Sequence, residues 1–174
     1  MNYVSDLWSV MNLNGMCQFL FILFLPLSFW SQDCDSIPEL NRKIIALANQ
    51  KVNTTVGRGE CWDLADFVLE KTNAVWDHGY KFGELIDPDN TCIQPGDIMQ
   101  FKNVRLQWKE GNMVYFEKMQ HHTAIVLSRV SDDQFLLIHQ NIGEHGRKVG
   151  VSPLLLSAIK TGTIMVYRPV AFSN

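Results

Sequence analysis

Between residues 37 and 50 the apolar side chains Leu40, Ile44, Leu47 and Ala48 return at the spacing of one helical face. Asp35 or Ser36 can cap such a helix, and Pro38 suits its first turn because its fixed φ is already helical. The stretch 53–59, Asn-Thr-Thr-Val-Gly-Arg-Gly, is turn-rich. After it Leu64, Ala65, Val68 and Leu69 mark a second amphipathic helix that starts near Cys61. From Pro95 onward the pattern changes to short apolar runs at 98–101, 113–116, 122–130, 135–140 and 164–167, which predict strands. Gly111-Asn112 and Asp132-Asp133 are turn signals between these runs, and such short connections favour antiparallel pairing. Ser152-Pro153 is expected to open a further short helical turn reaching about Ile159. Helices first and a meander of strands afterwards predict an α+β domain with helices on one face of the sheet.

The first thirty-one residues follow another pattern. They hold no Lys or Arg and contain the run Phe-Leu-Phe-Ile-Leu-Phe-Leu-Pro-Leu at 19–27. Nine residues are too few to cross a bilayer, which takes about 20, but they suit the apolar region of a signal peptide. Residues 1–31 are therefore expected to be a signal peptide or N-terminal hydrophobic segment, with the exported form starting near Ser31 or Gln32. A buried N-terminal helix and a retained anchor are the other readings, and Met11 or Met16 are alternative starts. Residues 32–174 are expected to form a single domain, secreted or periplasmic, monomeric and without a membrane span of its own.

Composition narrows the chemistry. Of 174 residues, 47% are hydrophobic and 19% charged, ordinary for one globular core, and the formal charge is only −3. The fifteen Lys and Arg are scattered among acids from Arg42 onward, so no basic face predicts nucleic acid as a partner. Neither CxxC nor HExxH occurs, and His121 and His122, neighbours on a strand, face opposite ways, so no metal and no cofactor is expected. Cysteines stand at 17, 34, 61 and 92. Loss of the first with the signal peptide leaves an odd count, and Cys34 with Cys92 is the expected pair if Cys61 stays reactive.

Cys61 sits at a predicted helix N-terminus, where backbone N–H groups and the helix dipole favour thiolate. Gly57 and Gly59 let the loop before it bring donors toward a developing oxyanion. A buried, inert cysteine is the bland alternative. His122 opens an apolar strand and can lean toward the thiol, whereas His121 should point away. The next strand ends His139-Gln140-Asn141, and alternation puts His139 and Asn141 on one face, so either can hold the second ring nitrogen of His122. A core histidine satisfied by backbone is the alternative for His139.

Gly59-Glu60-Cys61-Trp62-Asp63-Leu64-Ala65, Pro95-Gly96-Asp97-Ile98-Met99-Gln100-Phe101, His121-His122-Thr123-Ala124-Ile125-Val126 and His139-Gln140-Asn141 together resemble the ordered blocks of the NlpC/P60 and CHAP cysteine hydrolases, over about residues 56–169. With Val166-Tyr167-Arg168-Pro169 they also resemble the BBC1/AIM3-type cysteine proteinase-fold domain. The resemblance implies a papain-like α+β fold, Cys61 as nucleophile, His122 as general base and then acid, His139 in the third position, and Asn141 matching the Asn that often follows in the CHAP version. It implies an exported thiol hydrolase of amide bonds, with a peptide or peptidoglycan substrate and a thioester intermediate. A non-catalytic binding module on the same fold is the alternative, and an effector acting on another cell is the third.

Overall fold

The computed structural model describes Cys34 and residues 36–172. The apolar run at 19–27 and the cleavage expected near Ser31 lie outside the described residues. Helix α1 (Glu39–Asn49) starts directly after Pro38 and buries Asn41, Ile44 and Ala48. Helix α2 (Cys61–Thr72) buries Asp63, Leu64, Ala65, Val68 and Leu69, and ends at Asn73 in the left-handed conformation, φ 51°. The strands are β1 (Ala74–Val75), β2 (Glu84–Ile86), β3 (Ile98–Glu110), β4 (Met113–Arg129), β5 (Gln134–His139), β6 (Gly150–Leu155), β7 (Ile159–Arg168) and β8 (Val170–Ala171). Six form an antiparallel sheet in the order β2-β7-β3-β4-β5-β6, and β1 pairs with β8 apart from it.

The α+β layout is as expected, but both faces of the sheet carry core. On one face Ile98, Ile125, Ile138 and Tyr167 meet Ile44, Ala48, Leu64, Val68 and Leu69 of the helices. On the other, Met99, Phe101, Ala124, Val126, Leu137 and Val166 pack with Ile86, Ile93, Phe135 and Leu154. Burial on both faces is why the strand segments read as unbroken apolar runs.

Two segments differ from the sequence expectation. The runs at 113–116 and 122–130 are parts of one strand, β4, which pairs with β3 from Ile98↔Ile125 out to Glu110↔Met113. The stretch between them reads as a break because Glu117, Lys118, Gln120 and His121 surround the one buried side chain there, Met119. The segment expected as a helical turn after Ser152-Pro153 is strand β6 followed by a single 3-10 turn, Leu156–Ala158. β6 pairs with β5 alone, and an edge strand tolerates a proline because one row of its backbone groups needs no partner.

The Pro95-Gly96-Asp97 segment ties the elements together. Gly96 has φ 86°, and a Cβ there would lie 2.5 Å from the Cβ of Asn41, so α1 packs against bare backbone. Asp97, fully buried, accepts hydrogen bonds from Asn41 Nδ2 at 3.0 Å, the Gln94 N–H at 2.8 Å, and Arg168 Nε and Nη2 at 3.1 and 2.9 Å. Arg168 Nη2 also donates to the Cys92 carbonyl at 2.7 Å, and Cys92 is disulfide-bonded to Cys34. One buried carboxylate thus joins α1, β7 and the bridged loop, the wiring that the expected Cys34–Cys92 pair stands on.

Candidate active site

The loop before Cys61 is held by side chains rather than by regular structure. The Asp63 carboxylate accepts the N–H groups of Arg58 at 2.6 Å and Glu60 at 3.2 Å and pairs with the Arg58 guanidinium at 2.8 Å. Gln140, fully buried, accepts the Val56 N–H at 3.1 Å and donates to the carbonyls of Val56 at 3.0 Å and Glu60 at 2.6 Å. The Gly59 N–H goes to the Val56 carbonyl. The N–H groups of Arg58, Gly59 and Glu60 are therefore engaged within the loop. The glycines shape it rather than aiming those donors at an oxyanion, which corrects the sequence expectation.

The thiol of Cys61, the free cysteine among the described residues, is half-buried and meets the backbone of Thr123. The register explains this. Ile125 pairs with Ile138, so Thr123 would pair with residue 140, but β5 stops at His139 and the Gln140 side chain turns to the Cys61 loop. The Thr123 N–H is left at an open strand edge, and the sulfur at the N-terminus of α2 takes the place of the missing carbonyl. Beside it, the Thr123 hydroxyl donates to Gln100 Oε1 at 2.7 Å on the helix-covered face.

His122 leaves β4 on the opposite face, with Ala124 and Val126, and its ring lies 6.0 Å from that of Phe101. Its Nε2 is 3.0 Å from His139 Nδ1, and His139 Nε2 is 2.8 Å from Ser152 Oγ on β6. The structure thus brings His122 and His139 together, one residue along the strand from the contact of the thiol. Cys61 and His122 make no hydrogen bond to each other; the sulfur's partners are the backbones of Thr123 and Trp62 and the side chain of Thr123. His121 points to the helix side, edge-on to Tyr80 at 4.3 Å between ring centres.

Asn141 does not share a strand face with His139, because the strand has ended: its φ is 60°, and its Nδ2 donates to Glu60 Oε2 at 2.7 Å. It braces the rim of the Cys61 loop together with Arg147, whose guanidinium pairs with Glu60 Oε1 at 3.1 Å.

Burial dominates the electrostatics. It pushes the Cys61 thiol above its ordinary value, against the lowering by the Thr123 and Trp62 backbone groups, so the helix N-terminus does not by itself yield a thiolate here. Burial pulls His122 down to about 4 and His139 to about 3, the latter helped by the proximity of His122 and His145. All three groups are neutral at pH 7.

Thr123, Gln140 and Ser152 escape a reading of the sequence alone. Gln140 is visible beside His139, but its function depends on the strand ending there. Ser152 is hidden by the helical expectation for its segment.

A sequence profile for the AIM3/BBC1 cysteine proteinase-fold domain matches residues 38–173, a stretch that contains every residue of this site. The chain belongs to that family. Among named proteins it is similar to "Altered inheritance of mitochondria protein 3" of Debaryomyces hansenii, 26% identical over 145 residues, covering 73% of this chain and 15% of that protein. The chain thus spans a small part of the AIM3 relative's length. Two solved structures are similar to it in part: the crystal structure of Ly7917, with 17% identity, TM-score 0.46 and coverage of 73% of this chain and 62% of that one, and Ly7917 with the hydrolysing product of MDP, with 16% identity, TM-score 0.45 and coverage of 74% and 62%.

Proposed function

We propose that this AIM3/BBC1 domain is a papain-like thiol hydrolase of peptide amides, in which Cys61 is the nucleophile, His122 the base and His139 the residue that orients it. The observation that carries this reading is the His122–His139 hydrogen bond at 3.0 Å, one residue along β4 from the atom that holds the thiol. When His139 accepts the Nε2–H of His122 at Nδ1, Nδ1 of His122 is left with a lone pair for the thiol proton. The sulfur attacks the amide carbonyl as that proton moves to His122. Collapse of the tetrahedral adduct breaks the C–N bond, and His122 protonates the departing amine. Water then cleaves the thioester, giving up its proton to His122 and returning the thiol. Because thiol and imidazoles start neutral, the proton transfer accompanies attack and no resting ion pair precedes it.

Export by the apolar segment at 19–27 accords with the Cys34–Cys92 bridge, since disulfides persist in oxidising compartments. Peptide stems of peptidoglycan are the substrate we propose within the peptide-amide class. A second reading, a peptide-binding module, is favoured by one observation: the thiol's hydrogen bonds go to Thr123 and Trp62 and not to His122.

Labelling of the full chain with iodoacetamide at pH 7.5 separates the two. Hydrolase chemistry predicts labelling at Cys61 that falls at least tenfold in His122→Ala. Labelling that is slow and equal in both chains leaves the binding module.

A further inference from the structure

The free end of the β3–β4 hairpin reaches past the core, with Trp108 packed against the core's edge. β3 loses its β7 partner after Leu106↔Ile159, and β4 gains its β5 partner only at Ile125, so residues 107–118 project as a two-stranded ribbon. Its two faces differ in charge. One carries the stacked rings of Trp108 and Tyr115, 5.5 Å apart, with Glu110 and Glu117. The other carries Arg105 opposite Lys118, Gln107 opposite Phe116, and Lys109 opposite Val114. Every residue on this second face is exposed, and none of its three cations makes an ion pair among the described residues.

Two features point to an anion bearing apolar groups. Arg105 and Lys118 stand directly across from one another, a like-charge pair that destabilises a bare ribbon and is relieved by an anion between them. They also line a cavity of about 200 Å³ with Asn103, Val104, Met119 and Gln120. Ahead of this pair on the same face, toward the turn, come Phe116, 71% exposed, and Val114 at 46%, while Met113 stands opposite Glu110 on the other face. Four residues of strand separate Lys118 from Val114, about 13 Å at the usual rise. The apolar end can therefore enter the acyl boundary, which interfacial elements penetrate by about 5–10 Å, while Arg105 and Lys118 remain at phosphate depth and Lys109, opposite Val114, reaches back toward it along its aliphatic stem.

We infer that this ribbon docks on an anionic phospholipid surface, with Val114 and Phe116 dipping into the interface and Arg105 and Lys118 holding the headgroup phosphates. An acidic peptide fits less well: the ribbon presents its apolar groups at a free end, not along a groove in which a peptide backbone could lie.

The test is cosedimentation of the full chain with vesicles of phosphatidylcholine alone and with about 30% phosphatidylserine, beside the double variant Arg105→Gln/Lys118→Gln. Residues 1–31 are common to both chains, so the readout is the difference between them. Each cation near an anionic surface contributes about fivefold, so the double variant is expected to lose about 25-fold in affinity for the serine-lipid vesicles and little for the neutral ones. A Phe116→Trp chain should show a blue-shifted emission component that brominated lipid quenches. Equal binding of unmodified and double-variant chains to the anionic vesicles overturns the proposal. So does saturation by inorganic phosphate or by a polyglutamate peptide without vesicle binding. Should the double variant fail to fold, a Phe116→Trp chain whose emission brominated lipid leaves unquenched is sufficient to refute it.

Discussion

Acidification should unfold this domain earlier than its carboxylates alone require, because two imidazoles are buried without charge. An unfolded chain takes up a proton at each histidine near pH 6.5, whereas His122 and His139 in the folded domain hold out to about 4 and about 3. Folded values below the unfolded one mean that stability is complete above about pH 6.5 and is lost as pH falls toward 4. At pH 5 the unfolded chain carries nearly two protons that the folded one refuses, a loss of about 4 kcal/mol relative to pH 7. Against the 5–15 kcal/mol typical of a domain this is a large share. Asp66 and Glu117, raised by burial, shift stability in the opposite direction. The histidine contribution is therefore read by difference. Urea unfolding followed by tryptophan fluorescence at pH 7 and pH 5, on the unmodified chain and on His139→Gln, supplies it: the variant should lose about 2 kcal/mol less. If the unmodified chain loses under about 1 kcal/mol, or the variant loses as much as the unmodified chain, the imidazoles are not buried as neutral groups and the reasoning fails.

Asp97→Asn should destabilise by about 3 kcal/mol, seen as a fall in urea midpoint, because the partly buried Arg168 is left without the carboxylate it pairs with. Gly96→Ala forces a non-glycine residue to φ 86° and a Cβ into α1, and a melting temperature unchanged from that of the unmodified chain would contradict the close approach at Asn41. Reduction or Cys34→Ser opens a loop spanning 58 residues, and the expected cost of about 2–5 kcal/mol is measurable by the same unfolding assay. On a peptide-amide substrate His139→Ala should lower kcat at least tenfold with KM little changed, and Asn141→Ala should do less, since Asn141 holds Glu60 rather than the imidazole.

The helices and the strand cores are legible in the sequence because their apolar spacing is set by burial, which acts on every residue of an element. Leu64, Val68 and Leu69 could hardly be placed elsewhere. The lengths of β3 and β4 are not legible, since the polar Lys109, Glu117 and Lys118 interrupt the apolar period there. β6 reads as helix because Ser-Pro is a helix-start signal, and only its place at the sheet edge makes the proline compatible with a strand. In the site, Cys61, His122 and His139 stand out by residue type. Gln140 and Thr123 do not, because their parts depend on β5 ending one residue before the register would have closed, a fact of tertiary pairing with no local trace.

The sulfur of Cys61 occupies a vacant rung of the sheet, and this gives its chemical state a mechanical meaning. A proton, an acyl group or an alkyl group on that atom alters how strongly the Thr123 amide is held, and with it the seam between the start of α2 and the open border of β4. The state of the thiol is thereby coupled to how tightly one corner of the domain is closed.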